Sequence, residues 1–311
     1  SLAPASAAQV ASRWTMEPKM AAVSATSTAS PAKTPVSTQD AVIVTGASSG
    51  IGLAAAKYLA DKGWHVVMAV RSFSKAELAA KEAGLAQGSY SIMNCDLASM
   101  ASVRRFVADF KASGRPLGAI VCNAAVWYPK DKTPRFTAEG FEEAVAANHL
   151  GHFLLCNLLV DDMKAPKVAP QPRVVFLATQ THNPGSIAGM VPPRADLGTM
   201  EGLASNFADT GMIDGKKFEP TKAYKDSKVC NVMTMRELAK RKADKPVVYS
   251  ALFPGCIAES PLFRDKRGWF RKIFPLFQKY VTKQYVSVDE AGRRVAAVVT
   301  DAELSKSGAY W

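Results

Sequence analysis

A tyrosine and a lysine four residues apart, Tyr224 and Lys228, are the side chains whose types and spacing could do chemistry. On a helix, residues at i and i+4 lie on one face and can interact. A phenol with an ordinary pKa of about 10 is a poor acid at neutral pH, and a neighbouring ammonium lowers that pKa. The pair is therefore predicted to donate a proton to a substrate, provided that a cofactor site lies beside it.

A glycine-rich loop supplies such a site. The sequence Thr45-Gly46-Ala47-Ser48-Ser49-Gly50-Ile51-Gly52 follows an apolar strand and precedes an Ala-rich helix. Glycines let the backbone turn tightly and approach a pyrophosphate, whose charge is stabilised by the helix N-terminus. A plain strand–helix turn is the alternative, but this placement favours a dinucleotide loop. The residues predicted to contact the nucleotide here are Gly46, Ser48, Ser49, Gly50, Ile51 and Gly52.

The end of the second strand indicates which nucleotide binds. NAD-specific folds place an acid there, whereas this strand ends in Arg71, with Lys75 one helical turn later. Two cations in place of an acid predict NADPH, although a surface arginine is the simpler alternative. Two further groups follow strands and are predicted to contact the cofactor: Asp96 with Leu97, and Asn123-Ala124-Ala125.

The elements that position these residues alternate between strand and helix. Short β-branched runs occur at 41–45, 65–70, 118–122, 173–178 and 247–253, and a further strand is expected at 90–94. Helical patterns occur at 51–63, 99–112, 137–163 and 223–243. Alternation of this kind predicts an α/β fold with a doubly wound, Rossmann-type parallel sheet in a single domain, 39–311. Two stretches do not fit it: an insertion at 182–222 and an aromatic, basic segment at 259–285.

Composition limits the class of protein. The 311 residues are 48% hydrophobic and 21% charged, and no apolar run reaches the roughly 20 residues of a membrane-spanning helix. The formal net charge of +12 predicts an anionic partner. Five scattered cysteines predict a reducing compartment without a disulfide framework.

Residues 1–38 differ from the rest of the chain, because Ala, Ser and Thr occupy 22 of these positions and Glu17 is the one acid. An acid-poor, Ser-rich and weakly basic leader is typical of an organelle transit peptide, and a disordered tail is the alternative.

Within 259–285, bases alternate with aromatic side chains. We expect this segment to cover a flat substrate or to contact an anionic membrane surface, while packing on the sheet is the alternative. Pro275 predicts two short helices that meet near Phe274-Pro275. No nucleic-acid motif accompanies the bases, so nucleic acid is not expected. The residues predicted to contact substrate are Phe263, Phe270, Phe274, Phe277 and Tyr280.

His149 and His152 have a spacing that can suit metal ligands, but no third ligand is near them in the sequence. We therefore expect no metal site.

Several motifs together resemble the short-chain dehydrogenase/reductase family. The TGxxxGxG loop, Asn123-Ala124-Ala125, Asn148, the Tyr224–Lys228 pair and Pro254-Gly255 occur in the family's order over roughly 40–311. The resemblance implies that Asn148 supports Lys228 through a water, and that Pro254, Gly255 and Ile257 contact the cofactor. Thr179 stands where the family usually has a catalytic serine, and 45 positions separate it from Tyr224 because of the insertion.

Further segments resemble the light-dependent protochlorophyllide oxidoreductases of that family. They are 121–126 (VCNAAV), 148–153 (NHLGHF), 224–231 (YKDSKVCN), 254–258 (PGCIA), 274–280 (FPLFQKY) and 307–311 (SGAYW). These enzymes also carry Thr at the position of Thr179 and a cysteine near the substrate, matched here by Cys256. They normally continue for some tens of residues beyond the final Tyr-Trp pair, so the C-terminus of this chain is expected to be cut short.

The resemblance implies an enzyme that uses NADPH and light to reduce the C17=C18 double bond of protochlorophyllide. It also implies a chloroplast location peripheral to internal membranes, and the other expected partners are an anionic plastid membrane and a second copy of the chain. Two alternatives share the cofactor residues: a dark NADPH-dependent carbonyl or retinol reductase, and a catalytically silent NADPH-binding regulator. The intact Tyr224–Lys228 pair argues against the second.

Overall fold

The computed structural model describes residues 39–207, 210–257, 262 and 285–311. Four expectations lie outside the described residues: the leader, the cover formed by 259–285, its break at Phe274-Pro275 and its five predicted pigment contacts. Those contacts are Phe263, Phe270, Phe274, Phe277 and Tyr280.

Strands and helices alternate along the described chain. The strands are β1 (Ala41–Thr45), β2 (His65–Val70), β3 (Tyr90–Asn94), β4 (Leu117–Cys122), β5 (Arg173–Leu177), β6 (Val248–Leu252) and β7 (Ala309–Tyr310). The helices are α1 (Gly50–Asp61), α2 (Phe73–Glu82), α3 (Met100–Ala112), α4 (Glu143–Val145), α5 (Gly151–Leu159), α6 (Ile187–Met190), α7 (Glu201–Ala204), α8 (Pro220–Arg241) and α9 (Val288–Thr300).

The seven strands form one parallel sheet in the order β3-β2-β1-β4-β5-β6-β7. The predicted fold class is confirmed. Strand order reverses between β1 and β4, and a crevice opens beyond the carboxyl ends of strands at such a point. This is where β1 delivers the glycine-rich loop and β4 delivers Asn123.

Five of these strands, β1, β2, β4, β5 and β6, are buried along their whole length. Burial on both faces explains why their sequences are apolar runs without polar alternation. One core cluster packs Phe106, Leu155 and Phe176 on one face, and another packs Leu59, Trp64 and Val295 on the other. No helix in the described part of the chain is long and apolar enough to cross a membrane.

The helix predicted at 137–163 differs from the observed one. It begins only at Glu143, because a turn precedes it. In this turn Gly140 has a φ of +85° and its N–H donates to the carbonyl of Thr137 (2.9 Å). Its middle, Ala146–Leu150, is a π-helical turn that contains Asn148. Such turns accommodate one extra residue and are frequent at functional sites.

The insertion at 182–222 is anchored on the body by a small core and by ion pairs. Phe207 is fully buried and packs edge-on against Phe141, with ring centroids 6.1 Å apart. Nζ of Lys222 lies 2.9 Å from a carboxylate oxygen of Asp214 and 2.6 Å from one of Asp226. The insertion is therefore held against α8, the helix that carries the tyrosine and lysine.

A buried arginine joins β5 to the end of α9. Nη1 of Arg173 donates to the carbonyls of Val298 (2.9 Å) and Leu304 (2.6 Å). Nη2 donates to the carbonyl of Asp301 (2.6 Å) and the hydroxyl of Ser305 (2.7 Å). The guanidinium thus satisfies carbonyls that the end of a helix leaves unpaired.

Candidate active site

The carboxyl ends of β1, β2, β4, β5 and β6 surround a cavity of about 1210 Å³. The glycine-rich loop, Tyr224, Lys228 and part of the insertion line this cavity. The predicted site residues that line it are Gly46, Ser48, Ser49, Gly50, Ile51, Gly52, Arg71, Lys75, Asp96, Leu97, Asn123, Ala124, Ala125, Thr179, Tyr224, Lys228, Pro254, Gly255, Cys256 and Ile257. Residues from seven parts of the sequence are therefore brought to one site.

The glycine-rich loop forms a cradle that side chains would fill. Gly46 and Gly50 have φ of +67° and +56°, a region that favours glycine. A Cβ on Gly52 would lie 2.4 Å from Nδ2 of Asn123. No side chain caps the first turn of α1, so its backbone N–H groups are available to an anion at the helix N-terminus. The loop fits a dinucleotide pyrophosphate.

Thr45 fixes this loop to the next strand. Its hydroxyl oxygen accepts hydrogen bonds from the backbone N–H of Asn123 (2.9 Å) and Ala124 (3.0 Å). The side-chain amide of Asn123 donates in return to the carbonyl of Thr45 (2.8 Å). Thr45 was not among the predicted site residues, because its partners are far away in sequence.

The cavity is cationic at the end where β2 delivers Arg71. Arg71, Ser72 and Lys75 line it there, and both cations are exposed to solvent. Asp96 is the one acid among the described lining residues, against four cations: Arg71, Lys75, Lys225 and Lys228. This balance suits a ligand that carries several negative charges.

Tyr224 and Lys228 lie on α8 as predicted, with Nζ of Lys228 5.9 Å from the centre of the tyrosine ring. Nζ of Lys228 donates to the carbonyl of Leu177 (2.9 Å). Burial lowers the pKa of Lys228 to about 8. Burial also raises the pKa of Tyr224 above its ordinary value, so the expected lowering by the ammonium is not what this structure gives. The phenol therefore keeps its proton at neutral pH.

Thr179 follows β5 and is buried at the cavity wall. Its hydroxyl oxygen accepts a hydrogen bond from the backbone N–H of Thr181 (3.2 Å), and its carbonyl accepts one from the hydroxyl of Tyr310 (3.1 Å). Tyr310, on β7, thus helps to hold the threonine in place.

Asn148 is fully buried. Its side chain accepts from the N–H of Val126 (2.7 Å) and donates to the carbonyl of Val126 (3.0 Å) and the hydroxyl of Ser227 (3.1 Å). Its carbonyl accepts from His152 (2.9 Å) and from the amide of Asn231 (3.0 Å). The two hydrogen bonds occupy both lone pairs of that carbonyl.

His152 connects Asn148 to Thr45. Burial lowers the pKa of His152 to about 3, so the ring is neutral. Nδ1 must carry the proton, because it faces the carbonyl of Asn148, and Nε2 therefore accepts from the Thr45 hydroxyl (2.8 Å). His149 instead faces Oδ1 of Asn231 (3.1 Å). Among the described residues no three His, Cys, Asp or Glu side chains form a metal-binding cluster.

Cys256 is half-buried beside the cavity, and burial raises the pKa of its thiol to about 11. The thiol is therefore protonated at neutral pH. The preceding residue, Gly255, has a φ of +109°, and a Cβ there would lie 2.2 Å from Val286.

Several lining residues were not predicted. Trp127 follows the Asn123-Ala124-Ala125 group, and its ring centre lies 5.7 Å from that of Tyr224. Lys225 and the stretch Val191-Pro192-Pro193 form the wall on the side of the insertion. The position of Trp127 directly after a predicted cofactor segment could have identified it.

The fold and this site define a nicotinamide-nucleotide-dependent reductase of the short-chain class, and a family model described as short chain dehydrogenase matches residues 40–190. A chloroplast protochlorophyllide reductase of Chlamydomonas reinhardtii is 57% identical over 273 residues, which cover 86% of this chain and 68% of that protein. One from Cucumis sativus is 53% identical over 87% of this chain and 69% of its own length. The chain belongs to the protochlorophyllide reductase family, and its cofactor is NADPH.

A solved structure supports the fold. The 3-ketoacyl-(acyl-carrier-protein) reductase of Brucella melitensis, complexed with NADH, superposes with a TM-score of 0.59. It is 21% identical, and the match covers 88% of this chain and 96% of that one.

Proposed function

We propose that the chain catalyses the light-driven, NADPH-dependent reduction of the C17=C18 double bond of protochlorophyllide to chlorophyllide, within chlorophyll biosynthesis in the plastid. One observation carries the proposal: the nucleotide loop, the Tyr224–Lys228 pair and the insertion wall share a cavity of about 1210 Å³. A site for one small ligand usually measures roughly 300–1000 Å³, so this cavity has room for a nucleotide and a second bulky ligand. The names of the chloroplast relatives support protochlorophyllide as the second ligand.

The residues assigned to NADPH line the side of the cavity formed by β1, β2 and β4. The glycine cradle would hold the pyrophosphate, and Arg71 and Lys75 the 2′-phosphate, while Asp96 and Leu97 would contact the adenine. The small residues of Asn123-Ala124-Ala125 would let the backbone lie close to the rest of the cofactor, which Pro254, Gly255 and Ile257 would also contact.

The chemistry is a hydride and a proton added to adjacent carbons of a pigment that itself absorbs the photon. NADPH, when bound, supplies the hydride. Tyr224 or a water relay would supply the proton. The raised pKa of Tyr224 keeps the phenol proton in place until the neighbouring carbon gains electron density. Lys228, with a pKa near 8, would stabilise the phenolate that remains. The protein otherwise contributes binding, orientation and exclusion of water.

Three further residues have proposed roles around this centre. The Thr179 hydroxyl would bind cofactor or substrate, in place of the usual serine. Asn148 would act as a positioning residue, since its buried contacts hold Val126 and Ser227 in place. The protonated thiol of Cys256 would contact the substrate at the end of β6.

We also propose that the aromatic residues of 259–285 cover the pigment and that the bases between them contact an anionic plastid membrane. The support is the sequence pattern and the net charge of +12. Self-association is a further proposal. Salt-sensitive co-sedimentation with anionic liposomes tests the membrane contact. The mass of the protein in solution tests self-association.

Absorbance of the purified protein with NADPH and protochlorophyllide, before and after one flash, tests the main proposal. We expect the pigment band to be stable in the dark and to convert to chlorophyllide after the flash. Conversion in the dark, or reduction of carbonyl compounds or retinal with the pigment unchanged, would instead identify a dark reductase. Binding of NADPH with no reduction of any of these compounds would instead identify a catalytically silent, NADPH-binding regulator.

A further inference from the structure

Lys225 is a buried cation on the wall of the active-site cavity. The residue is 4% exposed, and Nζ donates to the carbonyls of Val191 (2.7 Å) and Pro193 (2.8 Å), which belong to the insertion. All three residues line the cavity. An ammonium has three donors, so these two carbonyls leave one of them for a ligand.

The charge of Lys225 lacks a counter-ion within the described part of the chain. None of the ion pairs there includes it, whereas its neighbour Lys222 pairs with Asp214 and Asp226. Glu219, the acid that acts on Lys225 electrostatically, uses its carboxylate to cap the N–H of Lys222. A buried cation held only by neutral carbonyls is costly, and an anion beside it offsets that cost.

Lys225 and Lys228 lie on the same helix but have different partners. Thr221, Tyr224, Lys225 and Lys228 all line the cavity from α8, at the spacing of one helix face. Lys228 reaches the carbonyl at the end of β5, whereas Lys225 reaches the insertion. Of the four cations around the cavity, Lys225 is therefore the one that donates hydrogen bonds to the insertion.

The proposed substrate has an anion in a suitable position. Protochlorophyllide carries a propionate on C17, one of the two carbons that are reduced, so its carboxylate is only two methylene groups from the reacting bond. Tyr224, adjacent to Lys225 in the helix, is the proposed proton donor to that bond. A single ion pair could therefore orient the double bond relative to the donor.

We propose that Lys225 is a specificity-determining residue that binds the C17 propionate carboxylate of the pigment. This inference rests on the proposed function and extends it from the pigment's macrocycle to one substituent. It assigns the wall formed by Lys225, Val191 and Pro193 as a carboxylate subsite. The site selects the free acid over its ester, because an ester lacks the negative charge that the ammonium requires.

The test compares protochlorophyllide with its propionate methyl ester, by dissociation constants measured in the dark with NADPH present. Wild-type protein should bind the acid at least about tenfold more tightly than the ester, as expected for a charge-assisted hydrogen bond. Lys225→Gln keeps donors for the two carbonyls but removes the charge, and should bind acid and ester within about twofold of each other. Lys225→Arg should keep the preference.

Lys217→Gln is the matched control, since Lys217 is exposed in the same insertion and does not line the cavity. It should retain the preference for the acid, and NADPH affinity should be unchanged in every variant. A preference that persists in Lys225→Gln, or a wild-type protein that does not distinguish acid from ester, overturns the inference. The comparison of acid and ester on the wild-type protein needs no variant. It can therefore overturn the proposal even if Lys225→Gln does not fold.

Failure of the proposed function is a different result. It appears as a bound pigment that no flash converts, while the acid–ester preference and its loss in Lys225→Gln are still measured. Absence of any pigment binding would overturn both proposals.

Discussion

At the scale of single residues, Tyr224 is expected to govern proton transfer. Tyr224→Phe removes the donor but keeps the ring that packs near Trp127. Chlorophyllide formation after a flash should slow by about 10²-fold or more, the usual contribution of a general acid, with NADPH affinity unchanged. Tyr90→Phe, in β3 and away from the cavity, is the control. A wild-type rate in Tyr224→Phe would exclude the phenol as the donor.

Arg71 and Lys75 are expected to determine the preference for NADPH over NADH. Replacing both with Ala removes two charge-assisted contacts with the 2′-phosphate, each contributing about 1.5–3 kcal/mol. The ratio of the NADH and NADPH dissociation constants should therefore fall by at least about tenfold. Lys81→Ala, in the same helix but outside the cavity, should leave the ratio unchanged. An unchanged ratio in the double variant would place the phosphate elsewhere.

His152 is expected to stabilise the site without titrating. His152→Ala removes one hydrogen bond of the Thr45 hydroxyl, which keeps the carbonyl of Val121 at 3.3 Å. It also removes one of the two donors to the Asn148 carbonyl. Each lost hydrogen bond should cost about 0.5–1.5 kcal/mol. Denaturant unfolding should show this loss, and NADPH should bind more weakly because Thr45 holds Asn123 and Ala124. His152→Asn, which keeps an amide donor for Asn148, should lose less. Equal free energies of unfolding for wild type and His152→Ala would show that the hydrogen bonds of His152 do not stabilise the protein.

At the scale of elements, the contact between α4 and the insertion is expected to depend on pH through Glu142. This carboxyl caps α4 at the N–H of Val145 (2.8 Å), and burial raises its pKa to about 7. Because the folded-state pKa lies above the unfolded value, the contribution of Glu142 to the free energy of unfolding should be fully present below about pH 4 and should be lost as pH rises to about 7. The expected loss is on the order of 2–3 kcal/mol.

Glu142→Gln keeps the acceptor but cannot ionise. Thermal unfolding should therefore show this variant as more stable than wild type at pH 8 and equal to it near pH 4. The carboxyls of Glu143 and Asp131 also raise the pKa of Glu142. Glu143→Gln is the control, and it should reduce the dependence on pH only slightly. A wild-type protein and a Glu142→Gln variant with parallel pH profiles would exclude Glu142 as the cause.

The elements that sequence could predict are those whose signals are local. The apolar runs gave five buried strands to within a residue, and the glycine-rich loop and the Tyr224–Lys228 pair were found from adjacent residues. The helix α9 was missed, although a serine cap at Ser287 precedes an amphipathic pattern. β7 is two residues long and has no signal of its own.

The rest of the site depends on contacts between distant residues. Thr45 and His152 are 107 positions apart, and nothing in either neighbourhood indicates their hydrogen bond. Lys225 looks like any solvent-facing lysine of a helix until the insertion is folded over it. The pKa of Tyr224 depended on burial, which spacing cannot reveal, and so the predicted direction of its shift was wrong.

At the scale of the whole molecule, Arg173 is expected to be essential for stability. Arg173→Met leaves three carbonyls and a hydroxyl at the end of α9 without their donor. The free energy of unfolding should fall by about 1–3 kcal/mol, the cost of leaving the buried carbonyl of Val298 without this donor. The carbonyl of the exposed Asp301 still accepts from the N–H of Leu304. Arg104→Met, exposed on α3, should change it little. Denaturant titration of both variants measures the difference, and equal midpoints would show that the acceptors find other donors.

The partners of Arg173 lie 125 to 132 positions after it in the chain. The chain emerges N-terminus first, from a ribosome or through an import pore. β5 is therefore exposed long before the hydrogen-bond acceptors of its arginine are available. Burying the strand early would desolvate a cation without acceptors, so the half-made chain keeps it in water. Completion of the sheet must then wait for Ser305 to emerge, and Thr179 at the end of β5 is fixed in place only after the partners of Arg173 are available.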